Sequence, residues 1–383
     1  MKRLEEELSR RRAQDLYRER GVLESPQGAE IRVGGETLLS FCSNDYLGLA
    51  NHPRVVAAFQ EGVARYGAGA GASHLVSGHS RAHHALEEEL ADFVGARRAL
   101  LFSTGYMANL GVVGALTGRH SAVFEDRLNH ASLIDAARLA HAKVTRFPHA
   151  DVDRLASLLE HSAAPHLITT DTVFSMDGDI APLAELNALA ARHEARLLAD
   201  DAHGLGVLGI NGRGTFEHLG MALAPPAILM GTLGKALGVF GAFVAGEDAL
   251  IETLIQRART YIYTTALPPA VAEAVRTSLK LVREEGWRRE RLRALVTRFR
   301  DGARNLGLTL TDSPTPIQPL VLGSAPAALA ASRQLRTRGI LVTAIRPPTV
   351  PEGAARLRIT FSATHEDSHV DRLLEALSML RPA

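Results

Sequence analysis

Residues 166–204 read HLITTDTVFSMDGDIAPLAELNALAARHEARLLADDAHG. Two apolar runs of strand length, HLITTD (166–171) and RLLADD (196–201), flank LAELNALAARHE (183–194), whose apolar residues have helical spacing. Parallel neighbours in a sheet need a crossover of about a dozen residues, and a buried strand, a helix and a second buried strand supply one. The alternation continues on the N-terminal side as helical RAHHALEEELADFVGA (81–96), extended ALLFST (99–104), helical ANLGVVGAL (108–116), extended SAVFED (121–126), helical ASLIDAARLAHA (131–142), extended KVTRF (143–147) and helical DVDRLASLLEH (151–161). The spacing predicts an α/β protein: a large domain with a mostly parallel sheet flanked by helices.

From residue 268 the pattern changes. Residues 268–307 read as one long helical stretch. Strand-like IQPLVL, helical PAALAASRQLRTRG, strand-like ILVTAI and ARLRITF and a final helix, HVDRLLEALSML, follow it. This predicts a smaller C-terminal α+β domain. The expected division is an N-terminal helix and extension over 1–44, a large domain over 45–285 and a small one over 286–383. The first twenty residues read as a charged surface helix with no signal-peptide core.

Composition excludes several classes. Of 383 residues, 43 are Lys or Arg and 42 are Asp or Glu, a net charge of +1. A nucleic-acid-binding or polybasic membrane-binding chain would be one-sided, so neither partner is expected. The sequence has no apolar window of the roughly 18–20 residues that a membrane helix needs. A single cysteine, Cys42, permits neither an intrachain disulfide nor a Cys-rich zinc module, and a cytoplasmic location fits it. No metal site is expected. The 33 glycines are many for so few aromatics, and they point to backbone that turns sharply or approaches a ligand.

Two glycine clusters mislead. GAGAGA (67–72) fits a dinucleotide pattern, but it follows a helical segment where that turn must follow a strand. GTLGKA (231–236) resembles a phosphate loop, yet Leu229 stands where Gly is required and Ala236 where Ser or Thr is. What remains there is Lys235 between small residues, just past the apolar run AILM. Alone, it reads as a solvated loop lysine. Asp200 and His203 end the strand RLLADD, at the sheet edge where α/β proteins bind ligands. A lysine that can form a Schiff base, with an acidic group beside it, is what pyridoxal phosphate requires. The carboxylate keeps the ring nitrogen protonated so that the ring accepts electrons. An adjacent carboxylate raises the pKa of such a cation by roughly 1 to 3 pH units, about 1.4–4 kcal/mol.

Phosphate needs donors. STGYMANLG (103–111) follows a strand and opens a helix, so the amides near Gly105 and Tyr106 can point at an anion, although an ordinary strand-to-helix turn would look the same. The hydroxyls of Ser175 and Thr232 are further candidates. His130, after SAVFED, can stack on a planar ring, or be a structural histidine at a strand end.

Six motifs, SNDYLGL (43–49), LNHASL, FSMDGD, DDAHG, GTLGKALG and YTTALPP (263–269), occur in the order and spacing of the α-oxoamine synthases. The chain resembles this family of fold-type I pyridoxal-phosphate enzymes from about residue 11 to its end. The family joins an amino acid to an acyl thioester with loss of carbon dioxide. The resemblance implies pyridoxal 5'-phosphate as cofactor, with Lys235 as its covalent anchor, Asp200 as the partner of the ring nitrogen and His203 at the ring hydroxyl. His130 would stack on the ring and meet substrate. Gly105, Tyr106, Ser175 and Thr232 fall on cofactor positions. Thr265 matches a hydroxyl given to the neighbouring subunit's phosphate, which implies a homodimer with shared sites.

Arg358 matches the residue holding the amino-acid carboxylate, Asn44 lies in a motif lining that pocket, and Arg18 and Thr349 correspond to acyl-substrate positions. Residues 343–360 and RRAQDLYRER (11–20) resemble members that condense L-alanine with a pimeloyl thioester, on CoA or a carrier protein, in biotin synthesis. The rival within the family uses glycine and acetyl-CoA. A non-catalytic regulator of the same fold would usually carry a DNA-binding extension, and none is seen. Two segments depart from the family pattern and receive no role: Asp171, where relatives often carry Glu, and Ser73-His74-Leu75.

Overall fold

The structure, a computed structural model, describes residues 2–162 and 166–380. Its strands are β1 (Glu30–Val33), β2 (Glu36–Ser40), β3 (Arg98–Phe102), β4 (Ala122–Asp126), β5 (Lys143–Phe147), β6 (His166–Asp171) and β7 (Arg196–Asp200). They continue with β8 (Ala227–Thr232), β9 (Ala242–Gly246), β10 (Ile317–Gly323), β11 (Ile340–Leu341), β12 (Thr343–Ile345) and β13 (Ala355–Thr360). The chain divides into two compact units. The larger holds Leu49–Ser175 and Ile180–Arg289; the other holds the chain up to Gly48, Met176–Asp179 and the chain from Glu290 on.

The larger unit is built on a seven-stranded sheet in the order β3-β9-β8-β7-β6-β4-β5. β9 is antiparallel to both its neighbours and the other pairs are parallel, so β3, β4, β5, β6, β7 and β8 all end on one edge. The crossovers are the helices read from the sequence, including Ala131–Leu139, Val152–Glu160 and Leu183–Arg192. β4, β8 and β9 are buried along nearly their whole length, as strands covered on both faces must be. Leu198 and Ile228 on adjacent strands are fully buried, and each contributes roughly 1.5–3 kcal/mol.

The second unit has two three-stranded sheets, β1-β2-β11 and β10-β13-β12. β2 pairs in parallel with β11, which takes the N-terminal strands into the C-terminal unit, where the sequence reading set residues 1–44 apart.

Three local features differ from the sequence reading. ILVTAI is two strands, not one: β11 joins β2 and β12 joins β13. The helical stretch 268–307 is two helices, Pro269–Glu284 and Trp287–Asn305, interrupted at Glu285-Gly286. The first helix ends at Ala13, because Arg346 donates to the carbonyl oxygens of Asp15 and Tyr17 and Asp15 takes a left-handed φ of 56°. The GAGAGA segment does follow a helix, Pro53–Tyr66, so the context of a dinucleotide turn is absent.

Candidate active site

Apart from Thr265, each candidate group of the larger unit ends or follows a strand on the shared edge. β8 ends at Thr232, whose hydroxyl donates to the Gly241 carbonyl at 3.2 Å and accepts the Gly234 amide at 3.4 Å. This turn presents Lys235. Gly238 closes it with φ 69°, where an added Cβ would meet the Ala50 amide nitrogen at 2.4 Å, so the position is closed to larger residues. Lys235 Nζ lies 2.8 Å from His203 Nε2, and His203 is 5% exposed. His203 follows β7, whose last residue is the buried Asp200.

Asp200 accepts from the Ala202 amide at Oδ1 and from Asn109 Nδ2 at Oδ2, the latter at 2.8 Å. Asn109 is fully buried on the helix Gly105–Leu116, and its Nδ2 also lies 2.8 Å from Ser132 Oγ. His130 Nδ1 receives both the Ser132 amide and the Ser132 hydroxyl, the latter at 2.7 Å. Since Nδ1 accepts, the ring proton belongs on Nε2. Burial lowers the pKa of His130; Asp200 pulls it the other way and Lys235 adds to the lowering. The neutral ring is thereby favoured, which suits stacking on an aromatic cation.

Sequence reasoning left Asp171 without a role. Here its Oδ2 accepts the His130 amide at 2.7 Å, so it positions the residue that caps the helix Ala131–Leu139. Burial, reinforced by Asp200, raises its carboxyl well above the usual range. Asn129 fixes the same turn: it donates to the Thr169 carbonyl at 2.8 Å and accepts the Asp171 amide. Asn109 was overlooked too, although a lone Asn in an otherwise apolar helix was the available signal. Asp201 faces away from this network. It is held by Thr172 and Thr215, and burial pushes it up to about 6. Gly204 allows this packing, since an added Cβ would meet Asp201 Oδ1 at 2.1 Å.

The remaining candidates of this unit are placed as follows. Gly105 and Tyr106 open their helix behind the Thr104 cap, and first-turn amides have no intrahelical acceptor. The Tyr106 phenol is exposed and donates to Asp135. Ser175 is half-buried just past the bridge of Val173 to Ile180. Thr265 is exposed and its backbone pairs with Ser73.

In the other unit the four substrate candidates form two pairs. Arg358, on β13, donates to Asn44 Oδ1 at 3.2 Å, and the Tyr46 hydroxyl donates to the same oxygen at 3.2 Å. Burial raises the Tyr46 phenol, with Arg358 opposing it. Arg18 Nη2 reaches Thr349 Oγ1 at 3.4 Å, both residues being exposed.

An amine, a buried carboxylate beside it, two imidazoles and helix-terminal amides fit pyridoxal phosphate by the chemistry of the donor set. The fold and this arrangement are those of an aminotransferase-type enzyme. The family model for aminotransferase class I and II matches residues 36–377, and the chain belongs to that family. It is 63% identical over 372 residues to the 8-amino-7-oxononanoate synthase of Nitrosococcus oceani, covering 97% of this chain and 99% of the relative. A solved serine palmitoyltransferase of S. paucimobilis with bound PLP superposes with a TM-score of 0.92 at 31% identity, covering 98% of this chain and 96% of that one. The 8-amino-7-oxononanoate synthase of Francisella tularensis gives a TM-score of 0.79 at 32% identity over 89% of this chain and 97% of that one. The resemblance drawn from the six motifs is borne out.

Proposed function

We infer that the chain catalyses the decarboxylative condensation of L-alanine with a pimeloyl thioester, giving 8-amino-7-oxononanoate, carbon dioxide and the free thiol carrier, in biotin biosynthesis. Full-length identity above 60% to synthases of that name supports the reaction. The geometric observation that carries it is the convergence of Lys235, His203, Asp200 and His130 at the carboxyl edge of one mostly parallel sheet. The cofactor is pyridoxal 5'-phosphate, which when bound supplies an electron sink for the carbanion at the amino-acid Cα.

Lys235 Nζ would hold the cofactor covalently, and as a free amine it is the base placed to take the Cα proton. Asp200, fixed by Asn109 and the Ala202 amide, would hold the ring nitrogen and favour its protonated form. His203, which lies 2.8 Å from Lys235 Nζ and orients it, would hold the ring hydroxyl. His130 would bind the ring face and keep its Nε2 proton for substrate. Gly105, Tyr106, Ser175 and Thr232 bind the cofactor, with the phosphate at the amides of Gly105 and Tyr106. Arg358, oriented through Asn44, takes the alanine carboxylate in a bidentate grip. Arg18 and Thr349 take the acyl chain, and the Arg18 guanidinium is the natural counter-charge for the free end of pimelate.

Thr265 serves the phosphate of a second subunit in a homodimer, and the enzyme works in the cytoplasm; among the described residues no helix is long and apolar enough to cross a membrane. The test offers alanine and glycine each against pimeloyl-CoA and acetyl-CoA, with products read by mass spectrometry. 8-Amino-7-oxononanoate from alanine and pimeloyl-CoA is expected. Turnover only with glycine and acetyl-CoA would replace this reading with aminoketobutyrate ligase activity.

A further inference from the structure

Four histidines and a glutamate, none of them given a role above, crowd the start of the helix Arg81–Val94. His79, His84 and Glu87 each offer a ligand atom within 4.8 Å of the others, and so do His74, His79 and His83. The two triads share His79 but differ in what their atoms are already doing. His83 is fully used: Nδ1 accepts the Ser80 amide at 2.9 Å, and Nε2 bonds the Leu267 carbonyl at 2.7 Å. A ligand role there would break two buried hydrogen bonds, so the inner triad is a structural cluster.

The outer triad is arranged differently. Glu87 Oε1 accepts the Leu101 amide at 2.9 Å, which leaves Oε2 directed at His79. His79 Nδ1 pairs with His74 Nδ1 at 3.0 Å, which leaves Nε2 directed at Glu87. The His74 ring is itself fixed by stacking on Tyr261, with centroids 4.9 Å apart. Anchoring the second polar atom of a ligand, as seen here for Glu87 and His79, is what outer-shell groups do at metal centres.

His79 Nε2 and Glu87 Oε2 stand 4.0 Å apart, too far for the roughly 2.7–2.9 Å of a charge-assisted hydrogen bond. Two bonds of about 2.0–2.1 Å to a shared ion span from roughly 3.3 Å when tetrahedral to about 4.1 Å when linear, so a tetrahedral ion would draw these two atoms together by about 0.7 Å. The Glu87 side chain is 14% exposed and that of His79 28%, while His84 is 52% exposed on the solvent side. His84 lies one turn before Glu87, its ring perpendicular to that of His79 with centroids 5.7 Å apart. Two other charges bear on the site. Glu88 Oε1 lies 3.4 Å from His84 Nε2 and adds negative charge, while Arg98 opposes a cation but is held at 2.9 Å by Glu252.

We propose that His79, His84 and Glu87 form a binding site for one divalent transition-metal ion of the Zn²⁺ class, with water completing the coordination. Two imidazoles and one carboxylate with an open fourth position favour Zn²⁺ over the oxygen-seeking Ca²⁺ and Mg²⁺. The ion would tie residue 79 to the helix that begins two residues later. Binding is independent of the reaction assigned above.

The test titrates Zn²⁺ alone into the tag-free, cofactor-loaded wild type, His84→Ala and Glu87→Gln, followed by calorimetry. Co²⁺ serves as a spectroscopic probe of tetrahedral coordination. The expected result is one equivalent bound at micromolar concentration, weakened at least about tenfold in each variant, with a rise in wild-type melting temperature that His84→Ala lacks. His84 is exposed, and the side-chain carbonyl introduced by Glu87→Gln still accepts from the Leu101 amide, so both variants should retain cofactor absorbance and turnover. Absence of a one-equivalent site in the wild type, or a site that both variants retain, overturns the proposal and leaves His79 and Glu87 as structural neighbours only.

Discussion

Asn109 Nδ2 donates to Asp200 Oδ2 at 2.8 Å and lies equally close to Ser132 Oγ, whose hydrogen goes to His130 Nδ1. One buried amide thus orients the carboxylate proposed for the ring nitrogen and the imidazole proposed for the ring face. Asn109→Ala leaves Asp200 short of a donor in a buried setting, and hydrogen bonds to charged groups are worth about 1.5–3 kcal/mol. Steady-state kinetics should show kcat falling by roughly 10- to 100-fold with the KM for alanine little changed, while the cofactor is retained. Asp200→Asn should show the same split more strongly. A wild-type kcat in Asn109→Ala would remove the positioning role.

Lys235→Ala should abolish covalent retention of the cofactor after borohydride reduction, whereas the wild type should be yellow and keep the label through denaturing chromatography. His203→Ala should retain covalent labelling, since His203 orients Nζ without forming the bond. A colourless wild type would undo the whole assignment.

Arg18 and Thr349 are separated by 331 residues in sequence yet meet at 3.4 Å. Arg18→Ala should raise the KM for the pimeloyl thioester by about tenfold and that for alanine far less, as loss of one exposed charge-assisted contact predicts. Equal effects on the two substrates would argue for a general effect on folding.

The sheet and the edge that carries the candidate site were legible because each strand–helix step is a local pattern, and because Asp200 ends a buried strand and His203 and Lys235 fall three residues past one. The contacts that tune them were not. Asn109 and Asp200 are 91 residues apart, and Asp171 and the His130 amide 41, so no periodicity reports either pairing. The division of ILVTAI between two sheets was hidden for a related reason: an apolar run carries no mark of which neighbour each half will pair with. Arg18, Thr349, Asn44 and Arg358 were reached through family resemblance alone.

His365 links acid sensitivity to one buried ring. It is 2% exposed, stacks on Phe41 with centroids 4.4 Å apart, bonds the Ser40 carbonyl through Nε2 and accepts the Ser362 amide at Nδ1. Those partners require the neutral ring with its proton on Nε2, and burial accordingly pushes its pKa down to about 4. A histidine depressed in the folded state favours folding above its unfolded value near 6.5, and that contribution is lost as pH falls toward 4. Between pH 7 and pH 5 the loss from this one group is about 2 kcal/mol. Urea unfolding of the wild type and His365→Gln at both pH values isolates it from the other buried histidines. The variant should be less stable at pH 7, and the gap should narrow by pH 5, because Gln has no proton to gain. An equal gap at both pH values would show that His365 contributes packing alone.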